Sequence, residues 1–237
     1  MPPILLIHGA WHGAWCWDRL IPVLAGRGRK AVAIDLPGAG DDRTPLAEVT
    51  LDRYVGRVVE ALEALGEPAI LVGHSMGGLS ITEAAERAPE RIAKLVYLCA
   101  FIPHDGESLT SLAGQSDPAD VAMETIISGD GLSITVADAG IKAAFYGDCS
   151  DQDVAFAKAR LRPLPVQPAA TPAHTTMERF GRVPRVYIEC TEDRAIPIAR
   201  QRAMAAAFSP IEVHTLKTSH SPFFSAPDAL ADILAGL

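Results

Sequence analysis

The most informative stretch of the sequence is AILVGHSMGG at residues 69–78, which continues as LSITEAAERA at residues 79–88. Its first residues, Ala69–Val72, form a short aliphatic run that is typical of a buried strand. The letters GHSMG at residues 73–77 match the G-x-S-x-G pattern of a sharp turn between a strand and a helix. The helix that follows must stop before Pro89. The stretch therefore predicts a strand, a tight turn and a helix, with a serine at the bend.

The serine at this bend, Ser75, is a candidate nucleophile. At such a turn the backbone lies close to a neighbouring strand and helix, and Gly73 and Gly77 leave the space that larger side chains would fill. The pattern alone is weak, because an ordinary glycine-rich turn that cradles a phosphate at a helix N-terminus is an alternative. The strand before the turn and the helix after it favour a nucleophile elbow.

Outward from this turn, strands and helices alternate along the chain. Further strands are predicted at Ile4–Ile7, Ala31–Ile34, Leu95–Leu98, Val186–Cys190 and Ile211–Leu216. The clearest helix covers residues 51–65, whose apolar side chains recur every three or four positions, and Gly66 can end it. This order predicts an α/β fold with a doubly wound, mostly parallel sheet of about six strands, in which ligands bind beyond the carboxyl ends of the strands.

The alternation breaks between about residues 103 and 181, which we call the cap segment. It mixes Asp/Gly/Ser-rich stretches with one fair helix, Asp153–Leu161, and a proline-rich run. Because the flanking strands belong to one sheet, an insertion that covers the active-site edge is favoured over a second domain. We therefore expect residues 1–237 to form a single domain.

Composition excludes several classes of partner. A net charge of -8 without a Lys/Arg cluster offers no positive surface that would bind nucleic acid or an anionic membrane. No apolar run approaches the roughly 20 residues of a spanning helix, and no basic leader precedes the first run. The four cysteines, Cys16, Cys99, Cys149 and Cys190, show no zinc or disulfide spacing. We expect a cytoplasmic protein with reduced thiols and no metal.

A serine hydroxyl needs a base, and His220 fits that role best among the seven histidines. In folds with a nucleophile elbow the chain order is serine, acid, histidine, and the histidine follows the last strand. His220 comes after the strand Ile211–Leu216 and before a helix that starts near Pro227. His214 lies within that strand and is expected to be structural.

Asp193 is the best candidate for the acid that orients the imidazole. It follows the strand Val186–Cys190 in a loop at the carboxyl edge of the sheet. Glu192 is the nearest alternative, and Asp105 is a second, because some hydrolases place the acid after the preceding strand. Asp193 could instead cap a helix.

The oxyanion formed on attack needs two fixed donors, and the backbone amides of Ala10 and Met76 are predicted to supply them. Met76 follows the nucleophile, and Ala10 lies in the loop after the first strand. Gly9 lets that loop turn an amide toward the substrate. Trp11, beside the loop, either lines a substrate pocket or belongs to the core.

Several longer segments resemble the methylesterase and hydroxynitrile lyase branch of the α/β-hydrolase superfamily. They are HGAWHGAWCW at 8–17, GHSMGG at 73–78, YIECTEDRAIP at 187–197, Ser219-His220, and, in the cap segment, FYGDCSDQDV at 145–154 and LRP at 161–163. The similarity extends over essentially the whole chain. It implies an α/β-hydrolase fold, a triad of Ser75, Asp193 and His220, no cofactor, an apolar pocket under the cap, and commonly a homodimer.

Within this branch, four positions distinguish esterases from lyases. The similar lyases carry Thr in place of Gly9, Glu and Cys in place of His74 and Met76, and Lys in place of Ser221. The lysine gives the departing cyanide a positive neighbour. All four positions fall on the esterase side, and Gly9, Trp11, His74 and Ser221 are candidate pocket residues.

The sequence thus predicts a serine esterase that cleaves small carboxylic esters through an acyl-enzyme. A hydroxynitrile lyase is one alternative, and a ligand-binding protein of the same fold with weak hydrolysis is another. A dehalogenase would need an aspartate at position 75. Methyl, aryl and bulky pyrethroid-like esters all remain open as substrates.

Overall fold

The computed structural model describes residues 1–114, 124–208 and 211–237. Within these ranges the strands are β1 (Ile4–Ile7), β2 (Ala31–Ile34), β3 (Ala69–His74), β4 (Ile92–Leu98), β5 (Thr125–Ile127), β6 (Ser133–Val136), β7 (Leu164–Pro165), β8 (Arg185–Cys190) and β9 (Glu212–Leu216). Six of them form one sheet in the order β2-β1-β3-β4-β8-β9, and every neighbouring pair is parallel. The predicted α/β fold with a doubly wound sheet is confirmed.

The described residues also form ten α-helices, among them those predicted at residues 51–65, directly after Ser75 and from near Pro227. They are α1 (Leu20–Gly26), α2 (Leu51–Leu65), α3 (Gly77–Arg87), α4 (Leu109–Ala113), α5 (Asp138–Phe145), α6 (Asp151–Lys158), α7 (Val166–Ala170), α8 (Ile198–Ala207), α9 (Pro222–Ser225) and α10 (Pro227–Gly236). The side chain of Thr50 accepts a hydrogen bond from the Arg53 amide and caps α2, which ends at Gly66 with a φ of 75°. None of the helices in the described ranges is long and apolar enough to cross a membrane.

The core lies on both faces of the sheet, because successive side chains of a strand point in opposite directions. In β1, Leu5 and Ile7 pack with the apolar stripes of α2 and α3. Ile4 and Leu6 pack on the other face with α1 and α10. Strands buried on both faces explain why the central strands read as continuous aliphatic runs.

The strand order reverses beside β1, and this reversal positions the candidate site. From β1 the chain crosses to β2 on one side and then returns to β3 on the other side. The loops that follow β1 and β3 therefore leave the same edge of the sheet next to each other. Such a reversal forms a crevice at the carboxyl ends of the strands, where ligands bind in open α/β sheets.

The cap segment lies between β4 and β8. It contains α4, α5, α6 and α7 and a three-stranded antiparallel sheet in the order β5-β6-β7. Residues 115–123 of the predicted cap segment lie outside the described residues. The helix predicted at Asp153–Leu161 is α6, which begins earlier because the Ser150 side chain caps it by accepting the Asp153 amide at 3.2 Å.

Candidate active site

Ser75 occupies the sharp turn between β3 and α3 with a φ of 54°, a left-handed conformation that few non-glycine residues adopt. Neighbouring backbone groups hold it there: its amide donates to the Leu98 carbonyl at 3.2 Å, and its carbonyl accepts from the Phe101 amide at 3.1 Å. A Cβ atom on Gly73 would lie 2.8 Å from the Gly77 carbonyl oxygen, and one on Gly77 would lie 2.7 Å from the His8 carbonyl oxygen. Both glycines are therefore needed for the close approach that the elbow requires.

His220 and Asp193 form a buried pair at the same edge of the sheet. His220 Nδ1 lies 2.7 Å from Asp193 Oδ2, and the two side chains are 1% and 0% exposed. The other carboxylate oxygen accepts the backbone amides of Ala195 at 2.8 Å and Ile196 at 2.9 Å. Because the carboxylate accepts the Nδ1 proton, the neutral imidazole keeps Nε2 free to accept a proton.

Gln201, on α8, holds the same carboxylate and was missed by the sequence analysis. Its side-chain amide donates to Asp193 Oδ2 at 3.1 Å and to the Ile196 carbonyl at 2.7 Å. Its Oε1 atom accepts the Cys190 amide at 3.0 Å, and the residue is fully buried. A glutamine in the middle of a helix carries no signal in the sequence, so only the fold could identify it.

Two buried side chains near Ser75, those of His74 and Cys99, contact the backbone carbonyl of His220. His74 Nε2 donates to the His220 carbonyl at 2.8 Å, and the centroids of the two rings lie 4.6 Å apart. Cys99 Sγ approaches the same carbonyl at 3.6 Å. Among the described residues no hydrogen bond joins Ser75 Oγ to His220, and in ligand-free enzymes such catalytic bonds are often long until substrate binds.

The predicted oxyanion loop follows β1 and lies against the nucleophile. A Cβ atom on Gly9 would lie 2.8 Å from Ser75 Cβ, so the backbone at this point touches the serine. Ala10 and Met76 are both buried and line the same small recess. Met76 is the N-cap residue of α3, where backbone amides point outward and the helix dipole favours negative charge.

The candidate pocket residues divide into two groups. Gly9 and Trp11 line the recess beside the oxyanion loop. His74 and Ser221 are fully buried and lie outside its lining. His74 instead packs against the rings of Trp17 and Phe223, with centroid distances of 6.3 and 5.0 Å.

The cap segment is tied to both parts of the site. Trp11 Nε1 donates to the Ile134 carbonyl at 2.9 Å, and the Arg162 amide donates to the Trp11 carbonyl at 2.9 Å. Asp148 accepts the Ser219 amide at 3.1 Å, next to the candidate base. These contacts support the expectation that the cap segment covers the carboxyl edge of the sheet.

Burial lowers the pKa of several histidines around the site. Desolvation is the largest cause for His8, for His12, whose pKa falls to about 3, and for His74, whose pKa falls well below the usual 6.5. These imidazoles are therefore neutral at physiological pH. His8 and His12 precede Ser75 in the chain, so neither occupies the loop after the last strand where the base is expected.

The two alternative acids, Asp105 and Glu192, contact other residues and not His220. Asp105 is exposed and bonds to His174 Nδ1 at 3.1 Å. Glu192 lies 3.8 Å from Lys217 Nζ, and its side chain is 48% exposed. Asp193 is thus the acid that the fold brings to the predicted base.

One group of potential metal ligands occurs in the described part of the chain: His74, Cys99 and His220, whose ligand atoms lie within 4.8 Å of one another. His220 Nδ1 is already engaged by Asp193, and His74 Nε2 by a backbone carbonyl. Burial raises the pKa of the Cys99 thiol well above its usual value, so the thiol stays protonated. This donor set favours hydrogen bonding over metal binding.

Comparisons with known proteins point to one family. The model of the alpha/beta hydrolase family matches residues 4–233. The chain is 33% identical to Methylesterase 1 of Arabidopsis thaliana over 243 residues, covering 96% of this chain and 92% of that protein. It is 36% identical to Salicylic acid-binding protein 2 of Nicotiana tabacum over 216 residues, covering 84% and 82% of the two chains.

Solved structures give the same result. A pyrethroid hydrolase from Sphingobium faniae JZ-2 matches with a TM-score of 0.88 and 30% identity, covering 99% of this chain and 96% of that one. Polyneuridine aldehyde esterase matches with a TM-score of 0.87 and 27% identity, covering 100% and 98%. The likeness therefore includes the cap segment as well as the central sheet.

Proposed function

Because the chain belongs to the alpha/beta hydrolase family and resembles its methylesterases over nearly its whole length, we propose that Ser75, His220 and Asp193 act as a triad in ester hydrolysis. The protein is a carboxylic ester hydrolase whose substrates are small-molecule esters. The observation that carries the assignment of residues is the buried His220–Asp193 pair, with 2.7 Å between Nδ1 and Oδ2. It lies at the sheet edge where Ser75 occupies a left-handed bend.

In the first half of the reaction, Ser75 Oγ attacks the ester carbonyl while His220 Nε2 removes the hydroxyl proton. The negative charge that develops on the carbonyl oxygen is stabilised by the Ala10 and Met76 amides. Asp193 stabilises the imidazolium through Nδ1. When the tetrahedral intermediate collapses, the ester C–O bond breaks, and His220 returns the proton to the departing alcohol.

In the second half, water takes the place of the alcohol. His220 removes a proton from the water, which attacks the acyl carbonyl, and the same two amides hold the second oxyanion. Collapse of this intermediate returns the proton to Ser75 Oγ and releases the carboxylic acid. Apart from the ester and the water, both halves use only side chains and backbone amides of this chain.

The proposal is tested by the steady-state hydrolysis of p-nitrophenyl acetate. We expect Ser75→Ala to lower kcat by about 10⁴-fold or more, because members of a triad act as a unit. Circular dichroism of the variant would show that it is folded. A folded Ser75→Ala protein that keeps most of its activity would dismiss Ser75 as the nucleophile.

The substrate class is proposed on the same basis. Relatives include a methylesterase and a pyrethroid hydrolase, so methyl esters of small acids and esters of bulkier alcohols are the first candidates. The apolar side chains of Leu36, Ala39 and Leu164 beside the oxyanion loop favour an uncharged ester over a charged one. A panel that varies the acyl and alcohol parts separately would identify the preferred part.

Two alternative functions are separated by simple assays. A lyase would release cyanide from mandelonitrile, and we expect none, because Ser221 stands where the similar lyases carry a lysine. Gly9 also touches the nucleophile, and the threonine of the lyases would need the backbone to shift there. A pure ligand-binding protein would release no p-nitrophenol from p-nitrophenyl acetate. The acyl-enzyme mechanism predicts release that depends on Ser75, with a burst of one equivalent where deacylation is the slower step.

We also propose that the protein is a homodimer and that it is cytoplasmic. The resemblance suggests a homodimer, which light scattering of the purified protein would detect as twice the chain mass of 25.2 kDa. The cytoplasmic location is supported by four cysteines that are all free and buried. Fractionation of cells that express the protein with a fluorescent tag would test it.

A further inference from the structure

Two buried histidines flank the residue that supplies one oxyanion donor. His8 Nδ1 lies 2.8 Å from the Gly9 carbonyl oxygen, and His8 Nε2 lies 3.1 Å from the Leu36 amide nitrogen. Because an amide N–H can only donate and a carbonyl can only accept, the proton of this imidazole is on Nδ1. The ring is fixed at both nitrogens, and it holds the Gly9 carbonyl in one direction.

This contact controls the amide of the next residue. The Gly9 carbonyl and the Ala10 N–H belong to one planar trans peptide, in which the two groups point in opposite directions. A side chain that fixes the carbonyl therefore fixes the direction of the N–H. Gly9 is also the residue whose backbone touches Ser75, so a rotation of this peptide would change the donor geometry at the nucleophile.

His12 holds the following peptide in the same way. Its Nδ1 atom lies 2.7 Å from the Ala10 carbonyl oxygen, and its Nε2 atom lies 2.7 Å from the hydroxyl oxygen of Tyr146. The carbonyl accepts the Nδ1 proton, so Nε2 must accept the tyrosine proton. Tyr146 follows α5 in the cap segment, so the chain of bonds runs from the cap to Ala10.

We propose that His8 and His12 are positioning residues that aim the Ala10 amide at the oxyanion, and that Tyr146 makes this geometry depend on the cap segment. The inference rests on the proposed function, because the Ala10 amide matters only if an oxyanion forms there. This gives a structural role in catalysis to two histidines that neither accept nor donate a proton in the reaction.

The electrostatic setting agrees with this role. Each imidazole accepts a hydrogen bond through Nε2, which is possible only in the neutral form. Desolvation lowers the pKa of both, and the nearby His220 further lowers that of His12. A charged imidazole would also oppose the positive charge that His220 carries during the reaction.

The backbone next to Ala10 explains why such support is needed. Trp11 has a φ of 63°, a conformation that costs on the order of 1 kcal/mol or more for a residue other than glycine. Such a conformation persists only when neighbouring contacts fix it. The cap segment contributes further contacts to the same loop through the Trp11 ring nitrogen and carbonyl.

The test uses two variants of His12 and two variants in which a buried tyrosine is replaced by phenylalanine. His12→Asn keeps an N–H near the place of Nδ1, whereas His12→Leu removes both hydrogen bonds. Tyr146→Phe removes only the tyrosine hydroxyl. The matched control is Tyr97→Phe, which removes another fully buried hydroxyl, bonded to Thr82 Oγ1 at 2.6 Å.

We expect His12→Leu to lower kcat for p-nitrophenyl acetate by about 100-fold, similar to the loss of one oxyanion donor, with little change in KM. Tyr146→Phe should lower kcat by about 10-fold, and His12→Asn should recover most of the activity lost in His12→Leu. Tyr97→Phe, the control, should lose as much thermal stability as Tyr146→Phe does, and its kcat should equal that of the wild type. Affinity for trifluoroacetophenone, which forms a tetrahedral adduct on serine, should fall in parallel with kcat.

The proposal is overturned if Tyr146→Phe and Tyr97→Phe behave alike in kcat and in adduct affinity, because both hydroxyls would then be merely structural. Equal kcat values for His12→Asn and His12→Leu would also overturn it. Failure of the proposed function looks different: the wild-type protein itself would then show no activity that depends on Ser75.

Discussion

Asp193 accepts hydrogen bonds from an imidazole, a side-chain amide and two backbone amides. The buried carboxylate beside the candidate base has its hydrogen-bonding capacity satisfied by these four donors. Its charge is therefore placed where an imidazolium would form. Asp193 is therefore placed to stabilise the imidazolium, whereas Asp105 and Glu192 are not.

We expect Asp193→Asn to lower kcat for p-nitrophenyl acetate by about 10⁴-fold, because an amide at this position no longer selects the Nδ1-protonated tautomer. The measurement is the steady-state rate of the purified variant. Asp105→Asn and Glu192→Gln serve as controls and should retain wild-type kcat. An equal loss in either control would move the role of the acid to that residue.

Gln201 provides a second test at the same carboxylate. Gln201→Leu removes the hydrogen bond to Asp193 Oδ2 and leaves the Cys190 amide without its partner. We expect kcat to fall by about 10-fold and the free energy of unfolding by about 1–3 kcal/mol. Urea denaturation and ester hydrolysis of the same sample would measure both. An unchanged kcat would show that Gln201 stabilises the loop only.

Some site residues could be predicted from their order in the chain and others could not. Ser75 is marked by its glycines, and His220 and Asp193 are marked by the strands that precede them. Gln201 and His12 act through hydrogen bonds to groups that a sequence does not place in space. The sequence does show two histidines in HGAWH at residues 8–12. Whether they bond to the backbone of this loop depends on the path of the chain, which the sequence does not give.

The turn between β3 and α3 shows how glycine controls the packing of neighbouring elements. A Cβ atom on Gly78 would lie 2.0 Å from the Phe101 carbonyl oxygen, which is backbone and cannot move aside easily. Gly140, inside α5, has no atom within 4 Å of the place where a Cβ would be. These two glycines lie in helices and should respond in opposite ways to the same substitution.

We expect Gly78→Ala to lower the free energy of unfolding by about 3 kcal/mol or more, because the start of α3 must move away from the loop that follows β4. Gly140→Ala should raise it by about 0.5–1 kcal/mol through helix propensity. Chemical denaturation of both variants gives the comparison. A Gly78→Ala protein as stable as the wild type would contradict the close packing described for the elbow.

The six strands of the main sheet were predictable, while the small sheet of the cap segment was not. Each central strand is a run of buried aliphatic residues, which is a strong local pattern. In β5, by contrast, Thr125–Ile127 is exposed throughout, and β7 has only two residues. Such short strands are defined by pairing between distant segments, for which the local sequence gives no periodicity.

The molecule as a whole buries three neutral histidines near its active site, and this predicts its response to acid. In the unfolded chain each imidazole takes up a proton below about pH 6.5, whereas burial keeps His8, His12 and His74 neutral to a lower pH. The unfolded state then binds more protons than the folded state. Stability is therefore lost as the pH falls below about 6.5.

For His12 this loss extends down to its folded pKa of about 3, and it amounts to about 1.4 kcal/mol per pH unit. Urea denaturation at a series of pH values between about 6.5 and 4 measures the slope. His12→Asn should reduce the slope by that amount, and Tyr97→Phe should leave it unchanged. Equal slopes in all three proteins would contradict the burial of a neutral His12.

The proposed mechanism requires a covalent intermediate at Ser75, and trapping that intermediate is its most direct test. The protein is mixed with p-nitrophenyl acetate, quenched in acid within the burst, digested and analysed by mass spectrometry. We predict one acetyl group on the peptide that contains Ser75, and none in Ser75→Ala. An acetyl group on another residue with Ser75 unmodified, or full turnover by Ser75→Ala, would contradict the proposed mechanism.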